Sequence, residues 1–215
     1  LPADRLPKHH LLLGAEAEEK AAEKAGKEFA EMIASMVEYR KKNPTDDLVS
    51  ELVKVEEAGE KLTLRELIAT CVLLLNAGHE ASVNAFGNGF VAAINDSQAH
   101  ELLSAQARAI APTAVEEFFR FDAPLQLFER TAIERTEING ITIDKGVKIA
   151  ALLGSANRDE SVFQSPDQMD LKRNPNNHIS FGGGIHFCLG APLARLELGI
   201  SLPALFERFP KIEIA

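Results

Sequence analysis

The run Phe181-Gly-Gly-Gly-Ile-His-Phe-Cys-Leu-Gly190 decides how the rest of this 215-residue chain is read. Three consecutive glycines let a backbone pass close to a flat surface or adopt positive φ, and Gly190 offers the same freedom beyond the cysteine. Cys188 is thereby presented at the start of a helix expected from about Leu189 to Phe209. There the helix dipole and free N–H groups favour the thiolate, the form of cysteine that binds metal. Two other chemistries suit such a loop. A phosphate cradle needs Lys followed by Ser or Thr, which the run lacks. A zinc site built from His178, His186 and Cys188 lacks a fourth ligand at a usual spacing.

Composition narrows the setting. Hydrophobic residues make up 46% and charged residues 26%, the balance of a globular protein and not of a disordered one. A net charge of -9 and the absence of a basic stripe argue against a nucleic-acid partner. Apolar stretches such as Cys71-Val-Leu-Leu-Leu75 are far shorter than the roughly 20 residues that span a bilayer, and the N-terminus lacks a signal-peptide pattern. No membrane partner and a cytoplasmic location are the expectations. Only Cys71 and Cys188 are present, in surroundings too different for a disulfide pair. Cys71, in a leucine-rich run, reads as a small core residue.

Periodicity outlines the elements before the loop. After an irregular start with Pro2 and Pro7, Ala15 to Arg40 reads as an amphipathic helix carrying Phe29, Met32, Ile33, Met36 and Val37. Asn43-Pro-Thr-Asp46 breaks it, and Thr45 or Asp46 can cap a short helix with Leu48, Leu52 and Val53, ended by a break at Ala58-Gly59. Thr63-Leu-Arg-Glu66 reads as a capping box opening a long apolar helix over about 63–94. A helix apolar around most of its surface runs through the middle of a protein, so Asn76, His79, Glu80 and Asn84 need partners. Pro112 is expected to begin a helix over about 113–121. Short alternating runs over about 125–153, with turns at Asn139-Gly140 and Lys145-Gly146, give a small β-sheet. Ser155 to Asn177 reads as a loop wandering over the surface.

Phe181, Gly184, Cys188 and Gly190, spaced Phe-x-x-Gly-x-x-x-Cys-x-Gly, resemble the haem-thiolate signature of the cytochrome P450 family. The resemblance implies haem b ligated by the Cys188 thiolate, which pushes electron density that favours O–O cleavage. By the same resemblance Gly182 belongs to the haem-contacting loop, and His186 and Arg130 meet the haem propionates. Glu117-Phe-Phe-Arg120 matches the family's Glu-x-x-Arg, an ion pair implied to lock the cysteine loop. Its third member comes from a Pro-x-Arg-Phe-like stretch, where Gln168 and Met169 stand here and leave that member weak or missing. Ala77-Gly-His-Glu-Ala-Ser82 is similar to the family's segment crossing the distal haem face, so Ala77 and Gly78 face the cofactor and Gly78 lets the helix open locally. Glu80 matches the acid of a proton-relaying acid-alcohol pair. The usual threonine is Ala81, and Ser82 points about 100° away round the helix. Leu125, Gln126 and Leu127 fall on the segment that faces substrate.

The fold class implied is mainly α with a small β-sheet: the C-terminal, haem-holding part of the cytochrome P450 fold, residues 1–215 forming a single partial domain truncated at both ends. The function implied is a monooxygenase of the bacterial, soluble type that inserts one oxygen atom from dioxygen into a small organic substrate, with a ferredoxin-type electron donor. The alternative is a non-catalytic haem-binding or interaction module derived from that fold. An uncovered central helix would leave an exposed apolar face, implying weak haem retention and self-association.

Overall fold

The computed structural model describes residues 8–57, 62–209 and 211–214. The irregular start at Pro2 and Pro7 and the break at Ala58-Gly59 lie outside them. Packing is concentrated in two compact units, Leu1–Ala77 and Gly78–Ala215.

The first unit contains α1 (Lys8–Lys42), α2 (Leu48–Glu57) and the first part of α3 (Leu64–Asn95). Ile33, Val37, Val53, Leu67 and Cys71 form its core. Cys71 is buried as expected, and burial pushes its thiol up. The Thr63 box is present: Glu66 Oε2 accepts from the Thr63 amide at 2.8 Å, and Thr63 Oγ1 accepts from the Glu66 amide at 3.3 Å. Neither Thr45 nor Asp46 caps α2. The helix begins at Leu48, so Asp47 holds the capping place, its Oδ1 accepting from the Ser50 amide at 2.8 Å. Asp47 Oδ2 also takes Arg40 Nε at 2.5 Å and the Thr45 hydroxyl at 2.6 Å. The Thr45 bond foremost, then the Ser50 bonds and Arg40, hold this carboxyl far below the usual range.

In the second unit the rest of α3 packs with α4 (Ser97–Phe121) and α6 (Ala191–Arg208). Ala85 and Ala93 meet Leu103, Ala114 and Phe118 of α4 and Leu198, Leu202 and Phe206 of α6. A Cβ on Gly89 would stand 2.2 Å from the Phe118 ring, so the absent side chain sets how closely α3 and α4 approach. Helix α4 begins well before Thr113. Asp96 caps it, accepting from the Gln98 and Ala99 amides at 3.0 and 2.9 Å, and a kink at Gln106 (φ -152, ψ 34) precedes Pro112 within the helix. Pro112 itself is exposed, while its neighbours Ile110, Ala111 and Ala114 are buried and hold the helix together across it.

The expected single small sheet is two separate antiparallel pairs. β1 (Phe128–Thr131) pairs β4 (Lys148–Ala151), placing Arg130 opposite Ile149, while β2 (Thr136–Ile138) pairs β3 (Ile141–Ile143). Asn139 and Gly140, with φ 49 and 79, close the inner hairpin. Positive φ at both central residues is the two-residue turn geometry that brings β2 directly alongside β3. A one-turn helix, α5 (Leu153–Ala156), then leads into the long segment before the cysteine loop. That segment runs mostly over the surface, as expected, but Asn157, Phe163 and Leu171 turn inward and are buried. Among the described residues no helix is long and apolar enough to cross a membrane.

Two substitutions test this packing. Asp96→Ala should cost about 1 kcal/mol in urea denaturation, whereas Asp96→Asn should be near neutral. Gly89→Ala should cost roughly 1–3 kcal/mol through overpacking against Phe118.

Candidate functional site

Arg120 organises the site. Its side chain and that of Glu117 are both fully buried, one helical turn apart on α4. A guanidinium has five N–H donors, and a buried one left unpaired is costly. All five are used. Nε and Nη2 bond the two Glu117 oxygens at 2.7 and 2.8 Å, Nη1 bonds the carbonyls of Asn157 and Pro166 at 2.9 and 2.8 Å, and Nη2 reaches the Gln168 carbonyl at 3.3 Å. The segment before the cysteine loop is folded inward because its carbonyls are the acceptors this buried cation requires.

Glu117 takes further donors: the Asp170 amide at 2.8 Å, Arg173 Nε at 3.1 Å and Asn176 Nδ2 at 3.1 Å. The third member expected to be weak or missing is therefore Arg173. Gln168 contributes only its main-chain carbonyl, and Met169 packs on the core. The guanidinium arrives from five residues further along because the intervening chain turns back on itself, with Arg173 bonding the carbonyls of Gln164, Ser165 and Gln168. Asn157, also missed in the sequence, carries the network to the loop. It donates Nδ2 to Ser180 Oγ at 2.7 Å, accepts from the Ile179 amide at 2.9 Å and offers its carbonyl to Arg120.

The loop itself uses two of its glycines for backbone reasons: Gly182 and Gly184 have φ of 70 and 63. Gly190 does not. Its φ is -82 and it stands as the N-cap of α6, so an L side chain is conformationally allowed there. Cys188 lies two residues before that cap and not in the first turn; its amide donates to the Phe181 carbonyl at 2.9 Å and closes the loop. The thiol is free and exposed. Around it Ile185 (97%), Leu189 (87%) and Phe187 (50%) are exposed apolar side chains, and nothing lies within 4 Å of a Cβ placed on Gly183 or Gly184. His186 sits in the 3₁₀ turn Gly184–His186, also exposed.

Other expected site residues stand apart. No hydrogen bond, ion pair or ring contact joins Ala77, Gly78, Glu80, Ala81, Ser82 or Arg130 to the cysteine loop among the described residues. The backbone of α3 stays helical through Gly78, with no local opening. Asn76, His79, Glu80 and Asn84 are exposed and need no protein partner, and Leu73, Leu75, Val83 and Val91 are exposed on the same helix, so the expectation of a helix enclosed on all sides is not met. Arg130 lies over the Phe128 ring at 4.0 Å, donates to the Glu129 carbonyl and has no carboxylate partner among the described residues. Gln126 turns back, its Nε2 donating to Asp122 Oδ1 at 2.9 Å and the Ala123 carbonyl at 2.8 Å. This leaves Leu125 and Leu127 as the exposed apolar pair.

Glu116, next to Glu117, forms a second network. Consecutive helical residues point about 100° apart, so the two acids face different neighbours. Glu116 takes Arg195 as a fork, Nε at 2.6 Å and Nη2 at 2.9 Å, and His178 Nε2 at 3.0 Å. His178 Nδ1 accepts from the Ser180 amide at 3.3 Å, which fixes the tautomer carrying its proton on Nε2. Burial pushes the Glu116 carboxyl up, but the His178 and Arg195 hydrogen bonds and the Arg195 charge outweigh it and hold it at about 2. His178 is therefore committed to Glu116, which removes it from the zinc alternative, and no group of three or more His, Cys, Asp or Glu among the described residues could hold a metal. One soft sulfur on an open, apolar, glycine-lined face suits a planar prosthetic group whose metal brings its other ligands with it.

The family model described as Cytochrome P450 matches residues 3–212. The chain is 46% identical over 190 residues to the polyketide biosynthesis cytochrome P450 PksS of Bacillus subtilis (strain 168), covering 88% of this chain and 47% of that protein. A ligand-free crystal structure of Mycobacterium smegmatis CYP164A2 superposes with a TM-score of 0.87 at 41% identity, covering 91% of this chain and 50% of that one. P450BioI, solved in complex with an acyl carrier protein ligated to hexadec-9Z-enoic acid, gives a TM-score of 0.82 at 39% identity, covering 87% of this chain and 48% of that one. The chain spans about half the length of the curated relatives it matches.

Removing one partner of the buried pair, as in Glu117→Ala, should cost about 3–5 kcal/mol in denaturant unfolding, because a buried cation is left unpaired. The depressed Glu116 carboxyl stabilises the fold above the ordinary carboxylate range near 4.5, and that contribution is lost as pH falls toward about 2. Thermal unfolding between pH 5 and 2 should accordingly show a shallower acid limb in Glu116→Gln than in the parent chain.

Proposed function

Because this chain belongs to the cytochrome P450 family, we propose that it is the haem-holding portion of a haem-thiolate monooxygenase, with Cys188 Sγ as the axial ligand of haem b. The exposure of the only sulfur on a glycine-lined apolar loop, held from behind by the Glu117–Arg120 network, carries this reading. When bound, the haem supplies dioxygen activation for insertion of one oxygen atom into a small organic substrate.

The chain's residues then have separate tasks. Phe181, Gly182, Gly184 and Gly190 shape the loop, and Ile185, Phe187 and Leu189 cover apolar surface. Arg130, which has no carboxylate partner among the described residues, and exposed His186 suit the propionates. Ala77 and Gly78, small residues of α3, suit close approach of the cofactor, and Leu125 and Leu127 present apolar surface to substrate, Gln126 being turned away. Glu80 stands exposed at the place of the acid in the acid-alcohol pair, but Ala81 offers no hydroxyl and Ser82 lies about 100° round the helix. A substrate hydroxyl or an ordered water takes the alcohol's place. A ferredoxin-type protein as electron donor and a cytoplasmic location complete the proposal. The exposed apolar residues of α3 favour self-association or pairing with another polypeptide.

A second reading, a haem-binding module without turnover, is favoured by Ala81. The reduced carbon monoxide complex discriminates: the parent chain should give a thiolate-type Soret band and Cys188→Ala none. Substrate turnover supports the enzyme; a thiolate band without it supports the module. Ala81→Thr should raise the fraction of reducing equivalents recovered in product, and an unchanged fraction would exclude the substitute-hydroxyl proposal. Concentration-dependent sedimentation should reveal association, and a monodisperse monomer retaining haem against apoglobin would contradict it.

A further inference from the structure

Resting on the reading of Cys188 as the iron ligand, we propose that Glu116 is the positioning residue of the cysteine loop, a single carboxylate tying the segment that enters the loop to the helix that leaves it. The Arg120 network reaches only the entrance, through Asn157 to Ile179 and Ser180. Beyond the cysteine, the first two turns of α6 make no side-chain hydrogen bond among the described residues except that of Arg195 to Glu116. His178 donates to Oε2 of the same carboxylate, the oxygen that also takes Arg195 Nη2, and is itself nearly buried. The loop between them is thus spanned by one anion on the rigid surface of α4.

Phe181 converts that clamp into loop shape. Its ring packs on Phe119 at 4.5 Å, His178 at 5.7 Å and Phe187 at 6.2 Å, and the Arg195 guanidinium lies over it at 4.6 Å. The Phe181 carbonyl in turn receives the Cys188 amide. Both residues held by Glu116 therefore touch the ring whose backbone fixes the cysteine. The bond to Glu116 raises the Arg195 guanidinium against the pull of burial, and the Glu116 charge adds to it.

A matched control exists in the same unit. Arg108 forks onto Glu207 at 2.7 and 2.8 Å, also joining α4 to α6, but far along both helices from the loop. In the 215-residue chain without haem, amide hydrogen exchange of Gly182 and Cys188 should quicken about tenfold in Glu116→Ala and not in Arg108→Leu. With haemin added, reduced and exposed to carbon monoxide, the ratio of displaced to thiolate-ligated Soret signal should likewise rise about tenfold in Glu116→Ala alone. Glu116→Gln, which keeps an acceptor oxygen, should lie between parent and Ala, and with Arg195→Lys it carries the comparison if the Ala variant does not fold. Unchanged exchange and Soret ratio, or equal changes in Arg108→Leu, would overturn the proposal. A parent chain lacking any thiolate band would instead refute the ligand reading, while the exchange comparison still decides whether Glu116 holds the loop.

Discussion

A guanidinium with no access to water must find an acceptor for every N–H, and Arg120 finds them in Glu117 and three backbone carbonyls drawn from the segment 157–168. The cost of burying that charge is repaid only if the segment takes one conformation. This constraint accounts for a long stretch poor in regular structure being ordered and partly interior. It also reaches the cysteine loop, because Asn157 gives its carbonyl to Arg120 and its side chain to Ile179 and Ser180.

Helix α4 is the platform for both networks. Glu117 faces the inward-folded segment and Glu116 faces His178 and Arg195, a division imposed by the helical turn. The platform is rigid because Phe118, the next residue along the helix, is fully buried against Gly89 of α3. By contrast, the exposed strands have single partners, and Cys188 stands on an open loop held from below. Order is thus concentrated behind the sulfur, and openness in front of it, which is the arrangement a surface-bound planar group requires.

Local signals were readable in the sequence wherever the physics is local. The Thr63 box, the Asn139-Gly140 turn and the loop glycines Gly182 and Gly184 depend on neighbours a few residues away. Helix α4 was misjudged at its start because a proline normally ends or begins a helix, and here burial of the residues around it overrides that preference. The cap of α2 falls on Asp47, one residue beyond Asp46 and two beyond Thr45, since only the actual helix start decides which side chain can accept. The apolar character of α3 suggested enclosure, but composition does not say which elements lie against it.

The sequence by itself determined the family and the identity of the ligand candidate, because Phe181, Gly184, Cys188 and Gly190 stand at a fixed short spacing within one loop. It also placed Glu117 and Arg120 on one helical face, since an i, i+3 relation follows from the helix alone. Only the tertiary structure decided that Arg173 replaces the expected partner, that Asn157 transmits the network and that Glu116 joins His178 to Arg195. These contacts link residues 22 to 79 positions apart. No periodicity or propensity encodes such pairs; they follow from which donors and acceptors burial leaves facing one another.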